Sequence, residues 1–136
     1  MSDRIELAVV GAHLSGLQLN GQLIALAAIL CRNVPTTRSY RLYALAGEAV
    51  SRPGVLRVGE GAGEEIETEV WTLDAASFGR FVTAIPLPLS IGTLLLADRS
   101  APKGFLVEPE GLLHATDITH FGGWRAYLAS LRGESA

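Results

Sequence analysis

The segment LAVVGAHLSG, residues 7–16, holds the residues with the clearest chemical prospects. Its apolar run reads as a strand and ends in Gly11, Ala12, His13, Leu14, Ser15 and Gly16. A glycine turn behind a strand exposes consecutive backbone N–H groups, and such a nest attracts an anion, typically a carboxylate. A histidine at that turn can donate to the bound anion or move a proton near neutral pH, which makes His13 the candidate catalytic residue. Arg41 and Tyr43 fall on one face of a strand read over Tyr40–Leu45 and could clamp a carboxylate if that face points inward. The competing reading is structural: a tight turn in which His13 bonds a neighbouring carbonyl.

Other chemistries find less support. HLSG lacks the flanking pattern of a nucleophile elbow, and Cys31 sits in an apolar run and reads as a core filler. His13, His114 and His120 are widely spaced. The stretch HATDITH could bring His114, Asp117 and His120 together, but it occurs next to a loop and a solvated helix start is the stronger reading, so no metal is expected. No phosphate-cradle motif occurs. The acids Glu64, Glu65, Glu67 and Glu69 read as a hairpin turn followed by one solvated strand face, and Glu108 as a solvated or salt-bridged residue.

The bulk properties narrow the function classes. The chain has 136 residues, 49% of them apolar, which suffices for one domain with a buried core and leaves no room for a second catalytic domain. A net charge of -3 with scattered basic residues argues against a nucleic-acid surface. One cysteine provides no disulfide framework and fits a reducing, cytoplasmic compartment. The charged start MSDRIEL does not resemble a signal peptide, and the longest apolar run, LIALAAILC, is too short to cross a membrane and looks like core.

The elements that must position these residues follow from periodicity. Strands are expected at residues 6–10, 40–45, 55–58 and 66–73, with a further strand–turn–strand hairpin over residues 91–108 tipped by Asp98–Lys103. In IETEVWTL, Ile66, Thr68, Val70 and Thr72 share one face, and Glu67, Glu69, Trp71 and Leu73 the other. Asn20 is a candidate N-cap for a helix over residues 22–27, and residues 28–34 fit helix or strand. Asp74 caps a helix over residues 75–85, whose Phe78, Phe81, Val82 and Ile85 form one apolar stripe. Asp117 or Thr119 opens a last helix running through Trp124 to Leu131. The tally is α+β: six or seven strands in a small mixed or antiparallel curled sheet or barrel, with two or three short helices.

Several motifs in order resemble the C-terminal domain of allophanate hydrolases: VVGAHLSGLQLNGQL, YRLYAL, EVWTL, IPLPLSIGTLLLADRSAPKGFLVE and DITHFGGWRAYLAS. The resemblance implies a gamma-glutamylcyclotransferase-like fold over the whole chain, residues 1–136. It places Val10 to Leu14 where that superfamily holds its substrate on backbone amides. The cyclotransferases also need a glutamate base, and the matching stretch TAIPLPLSIG has no acid, so a cyclotransferase reaction is not expected. In full-length allophanate hydrolases an amidase domain first releases ammonia, and the C-terminal domain is implicated in decarboxylating the resulting N-carboxycarbamate, with a histidine that matches His13. The resemblance thus implies a small carboxylate ligand held at Gly11, Ala12 and Leu14, with Arg41 and Tyr43 added as the clamp their shared strand face suggests, no cofactor, and a separately encoded amidase as partner. The alternative is a non-catalytic binding or assembly module. Oligomeric state stays open.

Overall fold

The computed structural model describes residues 3–47 and 51–133. Strand β1 (Arg4–Val9) is followed by helix α1 (Asn20–Ala25), β2 (Ile29–Asn33), β3 (Tyr40–Ala44), β4 (Pro53–Arg57), β5 (Glu69–Asp74), α2 (Ala75–Thr83), β6 (Leu89–Thr93), β7 (Lys103–Val107), β8 (Thr116–Asp117) and α3 (Trp124–Leu131). Short 3₁₀ turns cover Pro109–Leu112 and Thr119–Phe121.

Two sheets form: a five-stranded one in the order β2-β5-β1-β7-β6 and a three-stranded one in the order β4-β3-β8. β1 runs antiparallel to β5 and parallel to β7, so it lies inside its sheet, and Leu7, Ala8 and Val9 are fully buried. That burial explains why its apolar residues are continuous rather than alternating. β4 packs against β7 and joins the sheets. There Gly54 meets Val107 so closely that a Cβ would fall 2.8 Å from the valine Cβ.

The α+β architecture agrees with the periodicity, whereas no closed barrel forms among the described residues. β2 and β6 remain at opposite edges of the larger sheet, and β2 breaks register between Leu30 and Arg32. A bulge of this kind twists an edge strand away from further pairing. The ambiguous residues 28–34 resolve as β2. Its Ile29, Leu30 and Cys31 are exposed, so neither Cys31 nor most of LIALAAILC is core; Leu23 is the fully buried residue of that run.

Helix α2 follows its sequence signals. The Asp74 carboxylate accepts from the Ser77 amide at 2.8 Å, and Phe81 is buried with Phe78 and Ile85 packed beside it. Asn20 does not cap α1. It is the first helical residue, behind Leu19, and its side chain donates instead to the His13 carbonyl at 2.9 Å. The last helix also begins later than expected. Asp117 accepts from the Thr119 amide at 2.9 Å, as a cap would, but it opens only a single 3₁₀ turn. Gly122, at a φ of 78°, ends that turn, and α3 starts at Trp124. The expected hairpin is present, with a connection over residues 94–102 that is longer than predicted and tucks Leu94 and Leu96 into the core. Among the described residues no helix is long and apolar enough to cross a membrane.

Candidate functional site

β1 delivers the chain to the turn at Gly11–Gly16. Gly11 is needed for close approach: a Cβ there would collide with the Pro53 ring on β4. Gly16 takes a φ of 80°, which favours glycine. Within the turn, Leu14 N–H donates to the Gly11 carbonyl at 3.0 Å, and Leu19 N–H to the Ala12 carbonyl at 2.8 Å. The Leu14 amide is therefore committed to the turn itself, which corrects its expected role in gripping an anion. The amides of Ala12 and His13 have no acceptor among the described residues, and both residues line a small cavity.

The His13 ring is 7% exposed, wedged edge-on against Phe81 at 5.0 Å and tilted against Phe105 at 5.4 Å. Its Nε2 lies 2.8 Å from Gln22 Oε1. An amide oxygen only accepts, so Nε2 carries the proton and Nδ1 is left as an acceptor in the neutral ring. Burial pushes the His13 pKa below the usual value; the Gln22 bond opposes this, and the charge of Arg52 adds to it. A neutral imidazole whose one proton is held by Gln22 is poorly placed to act as an acid.

Arg41 and Tyr43 do not join His13. They alternate with Tyr40 and Leu42, which are fully buried, so their face of β3 turns away from the core. Tyr43 sits opposite Asp117 in the β3–β8 ladder. Arg41 Nε donates to Asp117 Oδ2 at 2.9 Å, and Nη1 to the Ala62 carbonyl at 3.2 Å. The expected clamp thus belongs to the small sheet, and Arg52, from the approach to β4, is the cation beside His13.

Arg41 faces a different concavity. A groove of about 640 Å³ is lined by Arg38, Arg41, Glu64, Glu65, Thr119 and His120. Arg38 reaches Glu64 only at 3.5 Å, and both are well exposed, so this pair is weak. Asp117 ties the groove together. One carboxylate oxygen holds Arg41, and the other accepts from the Thr119 amide at 2.9 Å and hydroxyl at 2.6 Å, beside His120. Burial raises the Asp117 pKa, but the Thr119 bonds and Arg41 more than offset it and hold it below the usual carboxylate range. The exposed residue His120 has its ring tilted against Phe121, with centroids 4.2 Å apart. The HATDITH segment is therefore more than the helix start its sequence suggests. The signal that marks this groove is the Asp-x-Thr-His spacing, which sets an acid and an imidazole around one short turn.

Glu69 also departs from its sequence reading. It is 4% exposed rather than solvated. Its carboxylate accepts from Ser15 N–H at 2.7 Å, Ser15 O–H at 2.6 Å, Trp71 Nε1–H at 3.1 Å and Arg125 Nη2–H at 2.9 Å. Arg125, on the first turn of α3, also donates to the Ser15 carbonyl at 2.8 Å. The turn that carries His13 is thereby bolted to β5 and α3. Glu108 is exposed, where a 3₁₀ turn begins.

Comparison with known proteins agrees with this architecture. Residues 5–129 match the profile of the allophanate hydrolase C-terminal domain. A urea amidolyase of Lachancea kluyveri is 39% identical over 137 residues, covering 98% of this chain and 8% of its own. The Kluyveromyces lactis allophanate hydrolase structure superposes with a TM-score of 0.90 at 38% identity, over 95% of this chain and 22% of that one. A uropathogenic E. coli-specific protein superposes with a TM-score of 0.85 at 34% identity, over 93% of this chain and 97% of that one. A mouse aig2-like protein, at 18% identity and a TM-score of 0.65, shares the fold alone. The chain therefore spans under a tenth of the curated relative's length, and it belongs to the allophanate hydrolase C-terminal domain family.

Proposed function

We propose that the domain decarboxylates a small dicarboxylate of the N-carboxycarbamate type in the groove formed by Arg38, Arg41 and His120. The juxtaposition of two guanidiniums with an exposed imidazole in one groove carries this reading. Arg38 can present its guanidinium to one carboxylate, and Arg41, whose Nε and Nη2 are held by Asp117 and Nη1 by the Ala62 carbonyl, offers the second carboxylate only the donors left over, in a groove that Glu64 and Glu65 also line. Arg41, held by Asp117, provides a fixed anchor, and Arg38 can leave Glu64 at little cost because that pair is solvated. In the reaction the bond between nitrogen and one carboxylate carbon breaks and its electron pair stays on nitrogen. The His120 imidazolium gives that nitrogen a proton, carbon dioxide departs, carbamate remains, and solvent restores the imidazole proton. The family relation supports the substrate class, since the similar proteins are named urea amidolyase and allophanate hydrolase. An amidase acting upstream, on another chain or another domain, would supply the substrate.

The test measures carbon dioxide release when an amidase generates the substrate in the presence of this protein. His120→Ala is expected to lower the catalysed rate about 10²-fold or more, the usual contribution of a general acid. Arg41→Gln is expected chiefly to raise KM. Loss of activity in His13→Ala with His120→Ala unaffected would move the reaction to the Gly11–Gly16 turn. Equal release with and without the protein would leave a non-catalytic binding or assembly module.

A further inference from the structure

We infer that the groove of Arg38, Arg41 and His120 opens into a second lobe that takes a cationic group, so that the whole trough accepts an extended zwitterion, with a carboxylate at one end and an ammonium at the other. The inference shares the arginine end with the reading above and does not rest on its chemistry. The second lobe has a volume of about 370 Å³ and is walled by Asn33, Val34, Pro35, Glu65 and Glu67. Glu65 and Gly122 line both lobes, so the two spaces adjoin. Each lobe falls within the range of about 300–1,000 Å³ typical of small-molecule sites, and a short dicarboxylate fills only part of the first. The second lobe is built into the fold. Residues 66–68, leading into β5, are held on one side by Val34 N–H on the Thr68 carbonyl at 3.2 Å and Thr36 N–H on the Ile66 carbonyl at 3.1 Å. On the other side the Glu67 N–H donates to the Gly122 carbonyl at 2.9 Å.

The charges divide between the lobes. Arg38, Arg41 and His120 line the first, and the charged side chains lining the second are Glu65 and Glu67. Arg125 Nε engages Glu67 at 3.2 Å, and Glu64 is drawn to Arg38 at 3.5 Å. Glu65 is thus the exposed acid at the junction, with no cationic partner among the described residues. A carboxylate that reaches into the second lobe meets like charge there, and an ammonium meets opposite charge. The ligand's direction follows: its carboxylate lies toward Arg38 and its ammonium beyond Gly122. Val34 and Pro35, both half-buried, offer an apolar wall to the chain between the two charges. An α-amino acid carries both charges on one carbon and cannot reach from one lobe to the other. The ligand class is therefore an ω-amino carboxylate with several carbons between its charges.

The experiment is an NMR titration of the whole chain, at low salt, with 6-aminohexanoate, hexanoate and hexylamine in turn, following the His120 imidazole, the Gly122 amide and the Val34 methyls. 6-Aminohexanoate is expected to shift all three and to bind about fivefold tighter than either singly charged probe. Glu65 is exposed, so Glu65→Gln spares the fold; it is expected to remove the advantage over hexanoate, while Glu65→Asp keeps part of it. Arg38→Gln is expected to remove the advantage over hexylamine. Val34 and Gly122 resonances unmoved by 6-aminohexanoate overturn the second lobe. Hexanoate binding as tightly as 6-aminohexanoate to the wild type overturns the zwitterion assignment, as does an undiminished advantage in Glu65→Gln. Malonate, titrated separately and read at His120, tests the dicarboxylate reading of the first lobe, so failure of either reading is seen without the other.

Discussion

Glu69 shows how one residue's surroundings can invert its sequence reading. Strict alternation places it with Glu67 on a wet face, yet Trp71 and Leu73 on the same face are apolar, and that mixture is the signal of burial. The carboxylate meets four donors, and Arg125 is one of them. Burial raises the Glu69 pKa, but the Ser15 and Trp71 hydrogen bonds and the Arg125 charge outweigh it, so the group stays ionised. Glu69→Gln puts an NH₂ group where an oxygen now accepts and leaves Arg125 without its buried partner. Breaking such a pair is expected to lower stability by about 2–4 kcal/mol, toward the lower end because Arg125 is partly solvated. Urea denaturation of the two proteins checks this, and a loss under about 1 kcal/mol would mean the network is dispensable. His13 stood out in the sequence for a different reason: it follows a buried strand between Gly11 and Gly16, although a purely structural turn reads equally from those residues. Its tie to Gln22 was not legible, because it depends on where α1 begins.

At the scale of elements, the motif FGGWR becomes readable as geometry. Gly122 adopts a φ of 78°, where a Cβ is strained. Gly123 is extended, but a Cβ on it would fall 2.7 Å from the Glu67 Cβ. The Glu67 amide donates to the Gly122 carbonyl at 2.9 Å, which fixes this crossing, and Arg125 then reaches Glu67 and Glu69. Gly122→Ala is expected to cost about 1 kcal/mol through backbone strain. Gly123→Ala is expected to cost about 1–3 kcal/mol, because it forces the start of α3 away from Glu67. Thermal unfolding of the two variants ranks them, and the reverse order would mean that the crossing is not tightly packed. Elements with a strong local signal were legible: α2 from its cap and stripe, and β3 from its alternation. The starts of α1 and α3 were not, since Asn20 donates its side-chain amide to the His13 carbonyl instead of capping, and the Asp117 carboxylate accepts from Thr119 in a separate 3₁₀ turn.

For the whole molecule, the expectation that Arg41 would face His13 failed because β3 joins the three-stranded sheet while β1 lies in the five-stranded one. Alternation along a strand says which residues share a face; it does not say which sheet the strand enters, since that is decided by contacts far apart in sequence. The same global packing sets the response to pH. Glu6 is held below the usual carboxylate range chiefly by the Arg32 hydrogen bond, and Glu69 and Asp117 are held there by the bonds that overcome their burial. For each of these the folded pKa is the lower one, so the stabilisation is complete above the unfolded value, about 4, and is lost as pH falls through the folded values. His13 is lowered by burial from an ordinary 6.5. Its unfolded form takes a proton first, so stability is full above about pH 6.5 and declines as pH drops below it. The two kinds of group act in the same direction over successive windows. Wild-type stability is therefore expected to be level from neutral pH upward and to fall in two stages on acidification. His13→Gln is expected to be less stable at neutral pH and to lose the first stage while keeping the second. Denaturant midpoints measured across the acid range decide the matter: a wild-type curve that is flat, or that rises, as pH falls through the His13 window would show that the imidazole is not buried as a neutral group.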